Sequence, residues 1–192
     1  MTVQIIFAGA SSVLSIFCFL PYLRDIFRGT TKPHSYTWFI WALLQAVVAR
    51  AMWTSGAGFA IASSVIGAVL CALIFLLSLR QGTKHITGFD TICLVGALGA
   101  MAAYLFFHDA LLSVIFATLT DFIGTLPTLR KSYLEPRTET ASTHLLSSGA
   151  QAFALLALAT FSVTTMLYVA TTMVLDFITG VVVTWRSKMA KP

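Results

Sequence analysis

Charge is scarce in this sequence. Only 10% of its 192 residues are Asp, Glu, Lys or Arg, where a soluble domain carries about a quarter. No long polar stretch is left over to fold as a separate soluble domain. The formal charge of +5 does not indicate nucleic-acid binding, because no basic run is interleaved with aromatic residues. Cysteine is rare as well. Cys18, Cys71 and Cys93 lie singly in apolar segments, without metal-ligand spacing, and are expected to be buried small hydrophobes rather than a disulfide or zinc set. No Lys or Arg precedes Arg24, so the first apolar stretch lacks the basic flank of a cleaved signal and is predicted to stay as a helix. A phosphate loop, a His-rich metal site and a nucleophile beside a base are all missing. Asp121 and Asp176 are not surrounded by an intramembrane-protease pattern. No enzyme, cofactor or metal is expected.

What the chain does have is hydrophobicity, 58% of residues, which predicts life in a bilayer. A membrane span needs roughly 20 residues. Seven segments qualify: 3–23, 36–53, 59–79, 89–107, 110–129, 143–161 and 164–185. Only His108-Asp109 separates the fourth from the fifth. As one helix, residues 89–129 would reach roughly 60 Å, twice the hydrocarbon thickness, so the chain must turn back there. The same argument places turns at 54–58, where Gly56-Ala57-Gly58 is a local signal, and near Ser162-Val163. Lys32-Pro33-His34 and Glu135-Pro136-Arg137 read as short helix-ending turns.

Seven spans divide the loops into two sets. Arg24, Arg28, Lys32, Arg80, Lys84, Arg130, Lys131, Arg137, Arg186, Lys188 and Lys191 all fall in one set, and only Arg50 falls outside it. The positive-inside rule then puts the N-terminus outside and the C-terminus in the cytoplasm, as for a bacterial-style inner-membrane protein. Arg24 and Arg130 are explained by this topology and by lipid phosphate.

The chain also repeats itself. Phe19-Leu20-Pro21-Tyr22-Leu23-Arg24 returns 106 residues later as Thr125-Leu126-Pro127-Thr128-Leu129-Arg130. The register holds without a gap: Thr37 matches Thr143, Gln45 matches Gln151, Thr54 matches Thr160 and Arg80 matches Arg186. Nine positions of residues 20–54 are identical in the second copy, where composition alone would give roughly three. The predicted fold is therefore an all-α membrane bundle of seven helices arranged 3+1+3. Residues 1–80 form the first three-helix repeat, 81–109 carry a linker helix and 110–192 form the second repeat. One linker helix makes the two repeats parallel, related by an axis along the membrane normal, and a substrate site belongs between them.

This arrangement resembles the SWEET and PQ-loop (MtN3-like) transporter superfamily, in its seven-helix bacterial form. The resemblance rests on the 3+1+3 plan, the external N-terminus, and Pro21 and Pro127 near the cytoplasmic ends of spans 1 and 5, each followed by a basic loop. It covers nearly the whole chain in architecture. The namesake Pro-Gln pair is absent, since Tyr22 and Thr128 follow the prolines, and no asparagine occurs anywhere. The Asn pair of SWEET sugar transporters is thus missing. Asp176 falls about where the second of that pair would lie, and its repeat mate is Leu70. The resemblance implies the fold and a transport role, not sugar as substrate. The family also holds proton-coupled amino-acid exporters, vitamin-precursor channels and a sorting receptor.

Candidate site residues follow from depth and spacing. Asp121 and Asp176 lie near the middles of spans 5 and 7, with no Lys or Arg at that depth. A bare charge at the bilayer centre costs several kcal/mol, so such residues face protein or water and usually serve function. Either acid is a candidate to hold and release a proton or to pair with a cationic substrate group. The alternative is a protonated carboxyl acting as packing glue. Trp38, Trp41 and Gln45 share one helix face, and their repeat mates are His144, Ser147 and Gln151. In a pseudo-symmetric bundle these faces line one cavity, and an indole wall with amide donors suits a flat or ring-shaped solute. Trp38 and His144 also fit headgroup-level positions, and Trp53 fits an aromatic belt. Pro21 and Pro127 leave the carbonyls of Phe17 and Ile123 without a donor, which offers two matched hinges or two helix ends. Gly96, Gly99, Ala100 and Ala103 give span 4 a small-residue face for close packing or for a homo-oligomer contact.

The resulting expectation is a small-solute transporter or facilitator working by alternating access, with a proton as the candidate coupling ion and the lipid bilayer as its surroundings. Two alternatives stay open: a non-transporting receptor or assembly factor of the same fold, and a structural membrane subunit.

Overall fold

The computed structural model describes residues 2–54, 61–107, 109–158 and 160–189. Within them the chain is all-helical, without a strand. The elements are α1 (Thr2–Phe17), α2 (Phe19–Phe27), α3 (Ser35–Thr54), α4 (Ile61–Gln81), α5 (Gly88–Phe106), α6 (Ala110–Leu134), a 3-10 turn at Pro136–Thr138, α7 (Ala141–Leu156) and α8 (Val163–Met189). Taking α1 and α2 as one broken helix leaves seven, at the seven expected positions. Four stretches are long and apolar enough to cross a membrane: Val3–Phe27, Gly88–Phe106, Leu111–Leu134 and Val163–Met189. The expected turn at Gly56-Ala57-Gly58, His108 and the side chain of Trp53 lie outside what is described.

The helix ends have local causes. The break between α1 and α2 falls at Cys18, in the turn preceding Pro21. Proline has no N–H to give to the Phe17 carbonyl, so the ladder fails there. Gly29, with φ of 73°, then closes the end of α2, a conformation that suits glycine. Thr87 and Asp90 form a reciprocal capping box at the start of α5, and the Asp109 side chain accepts from the Leu112 N–H at 2.9 Å to start α6. Ser162 and Thr165 bond each other's backbone and hydroxyls. This starts α8 at Val163; α7 ends at Leu156 rather than at residue 161. At the other boundary, α6 continues past residue 129 to Leu134, because Pro127 sits inside the helix without ending it.

α3 packs on α4, α7 on α8, α5 on α6 and α6 on α8, while α1 lies against α7 and α3 against α6. The bundle is polar inside and apolar outside. Ile5, Ile92, Phe106, Phe177 and many other large apolar side chains are exposed, far more than a water-facing surface tolerates. Among the described residues, buried polar side chains outnumber buried apolar ones. Most of the buried threonines on α6 and α8 are satisfied within their own helix: Thr120 donates to the Phe116 carbonyl, Thr125 to Asp121 and Thr179 to Leu175, each at 2.8 Å. Close approach of helices depends on single glycines. A Cβ on Gly124 of α6 would sit 2.8 Å from Ile40 Cγ2 on α3. A Cβ on Gly96 would only touch Ile123, and one on Gly99 would meet nothing, so only the first of these two packs.

Candidate functional site

A cavity of about 110 Å³ lies among α1/α2, α3, α4, α6, α7 and α8. α5, the expected linker helix, contributes no residue to its wall. Trp38, Trp41, Gln45, Asp121, His144, Gln151 and Asp176 all line it, together with Ser147. The two faces chosen by their helical spacing on α3 and α7 thus meet across one space. Gln45 is seated by Gly67 of α4, where a Cβ would come within 3.1 Å of its side-chain nitrogen.

The remaining lining residues were not singled out from sequence. Tyr168, Thr172 and Leu175 precede Asp176 on α8 and face the cavity with it. Their spacing of four and three residues along one helix face was the available signal. Cys18, Phe19, Leu44, Cys71, Thr125 and Thr143 complete the wall. Cys18 reaches it through the helix break, which spacing alone does not reveal.

Trp38 and His144 face the protein interior rather than the outer surface of the bundle. Each is only 2% exposed. Trp38 donates from its indole N–H to the Tyr22 hydroxyl at 3.1 Å, with ring centroids 4.7 Å apart. Trp41 stands edge-on to Trp38 at 5.0 Å and to His144 at 6.5 Å. The aromatic wall therefore runs from Tyr22, one residue past Pro21, to the cavity. Pro21 and Pro127 flank the cavity without lining it. Only the first coincides with a break between helices.

His144 organises the polar groups. Its Nδ1 is 2.9 Å from Asp176 Oδ1, and its Nε2 is 3.7 Å from Glu139 Oε1. Glu139 in turn accepts from Lys131 Nζ at 2.6 Å, and Lys131 also donates to the Thr138 carbonyl at 2.7 Å. A buried line of charge thus runs from the cavity to the loop that precedes α7. Burial would push the Glu139 carboxyl up, but Lys131 beside it and the nearby His144 ring outweigh this and hold it at about 2. Glu139 and Lys131 were not recognised from sequence, because a Glu and a Lys around a Pro-containing turn read as solvated loop charges.

Among the described residues three buried polar atoms of the cavity lining have no hydrogen-bond partner: Trp41 Nε1, Thr143 Oγ1 and His144 Nε2. Buried donors left this way cost free energy unless water or a ligand meets them. Thr143 shows how the two halves differ. Its repeat mate Thr37 donates to the Gly124 carbonyl at 2.8 Å. The position matching Gly124 is Cys18, where the helix breaks, and the Thr143 hydroxyl is left facing the cavity instead.

Arg130, expected to serve topology and lipid contact, is committed elsewhere. It grips Asp90 of α5 with two nitrogens, at 2.9 and 2.7 Å, and donates to the His85 carbonyl at 3.1 Å. This clamp ties α5 to α6. Among the described residues no group of side chains is arranged to hold a metal ion. No protein-family model, curated protein or solved structure matches the chain.

Proposed function

We propose that this chain is a small-solute membrane transporter built from two parallel three-helix repeats around a linker helix, as in the SWEET and PQ-loop plan, and that it works by alternating access. The observation that carries this reading is the cavity itself. It collects polar residues from both repeats, two carboxylates with no Lys or Arg on the wall, and three buried polar atoms lacking partners among the described residues.

The packing supports the repeat. Exchanging helices 1–3 with helices 5–7 turns the α1–α7 contact into α6–α3, α3–α4 into α7–α8, and α1–α4 into α6–α8, and every one of these contacts is present. The absence of α5 from the cavity wall supports its role as linker.

In this mechanism Gln45, Gln151, Trp41 and Trp38 contact the solute from opposite sides, and Asp121 offers it a carboxyl. Asp176 and His144 hold a proton between them, passed toward or from Glu139 as the helices move. The cavity is smaller than the roughly 300–1,000 Å³ of drug-sized ligand sites. It suits a solute of few atoms, or a larger one once the helices part. The Tyr22–Trp38 pair and the Glu139–Lys131 pair close the end that carries the basic loops, and Pro21 provides the break about which that end opens.

The test is proton flux in proteoliposomes under imposed gradients of amino acids, amines, sugars and nucleosides, for wild type and Asp176→Asn. Solute-dependent flux that disappears in the variant is expected. Uptake of nothing in the panel would put the receptor reading first.

A further inference from the structure

A second cleft, of about 670 Å³, opens at the end of the bundle that carries the basic loops, between the segment following α2 and the segment following α4. Arg28, Lys32, Arg80 and Lys84 converge on it. Among the described residues none of the four has an acidic partner, and the single carboxylate on the wall, Glu135, lies 3.9 Å from His85. We propose that this cleft binds a phosphate-bearing anion.

The site is built rather than a chance gathering of loop charges. The Thr83 N–H donates to the Pro33 carbonyl at 3.1 Å and the Lys32 N–H to the Thr138 carbonyl at 2.9 Å, so both basic segments are fixed. Gly82 makes the first junction. A Cβ there would come 2.6 Å from the Pro33 oxygen and closer still to the Ser78 oxygen, so only glycine lets the segments meet. Topology alone asks for positive residues on this side. It does not ask that four of them share one cleft without counter-charges. The repeat sharpens this. Arg186, the mate of Arg80, is used up by Tyr133, whose carbonyl accepts from Nε at 3.1 Å and whose ring lies 4.3 Å from the guanidinium. Arg80 has been left to the cleft.

Phosphate oxygens suit this wall, with guanidinium forks at Arg28 and Arg80 and point charges at Lys32 and Lys84. Two sources share that chemistry. One is an anionic lipid headgroup, its chains lying on Phe27, Leu76 and Leu79, which are exposed beside the cleft. The other is a soluble phosphate compound.

The full chain in neutral detergent is titrated with dioleoyl phosphatidylglycerol, dioleoyl phosphatidylcholine and sodium pyrophosphate, following the melting temperature. A rise with phosphatidylglycerol alone assigns the cleft to lipid, and a rise with pyrophosphate assigns it to a soluble ligand. In either case Arg80→Gln/Lys84→Gln should need about 30-fold more of the active probe, from roughly a fivefold loss per cation. Arg24→Gln/Lys188→Gln, which removes the same charge away from the cleft, should respond as wild type. Should the first double variant fail to fold, Lys32→Gln alone should need about fivefold more probe. The proposal is overturned if neither anion acts beyond phosphatidylcholine, or if the two double variants weaken equally.

Discussion

Nδ1 of His144 and Oδ1 of Asp176 lie 2.9 Å apart across the interface of α7 and α8. One residue comes from the face that mirrors Trp38, the other from a position whose repeat mate is Leu70. The pair therefore has no counterpart at the matching positions of the first half of the chain, and proton chemistry at it is confined to the second half. Replacing Asp176 with Asn, or His144 with Gln, is expected to lower proton-linked solute flux in proteoliposomes at least about tenfold, while the protein still inserts and folds. Wild-type flux in both variants would remove the pair from the mechanism.

Acid should weaken the fold in two steps. His34 is fully buried. Burial pushes it down to about 4 against the pull of Asp90, with Lys131 and Arg130 adding to the lowering. The folded state keeps it neutral while the unfolded chain takes up a proton below about 6.5, so its contribution is lost as pH falls from about 6.5 to 4. Glu139, held at about 2, contributes stability above its ordinary range near 4.5 and loses it as pH falls toward 2. Melting temperature measured against pH should fall through both windows, and His34→Gln should flatten the upper one only.

The Arg130–Asp90 clamp predicts that lysine is no substitute for arginine. Arg130→Lys keeps the charge but cannot reproduce the two-nitrogen grip, and is expected to cost about 1–2 kcal/mol. Arg130→Ala leaves Asp90 buried and unpaired, at about 3 kcal/mol. Equal stability of Arg130→Lys and wild type in thermal unfolding would show that only charge matters there.

Gly124→Ala should destabilise by about 1–3 kcal/mol through overpacking against Ile40, since the new methyl lands 2.8 Å from Ile40 Cγ2. The same substitution in an Ile40→Ala background, where Cγ2 and Cδ1 are both gone, should cost less. An equal cost in both backgrounds would place the strain elsewhere.

The helices were legible because apolar runs of span length, separated by prolines, glycines and charges, leave little choice of path. Among the described residues seven helices stand at the expected positions, with some ends displaced: α7 stops at Leu156, and Pro127 is absorbed within α6. Much of the cavity wall was legible as well, because polar residues at mid-depth are rare enough to be picked out one by one. Position along one helix does not show which way a side chain faces. Trp38 and His144 lie near helix ends, as belt residues do, yet neighbouring helices bury both.

By itself the sequence determined the helical class, the helix positions, the repeated sequence pattern and which polar residues lie within the apolar helices. All of these follow from local composition and spacing along one chain. Only the tertiary structure decided which groups meet: His144 between Asp176 and Glu139, Arg130 on Asp90, and four cations around one cleft. Side-chain pairing depends on the rotation of each helix about its axis and on loop docking. Spacing along the chain leaves both free until the helices pack.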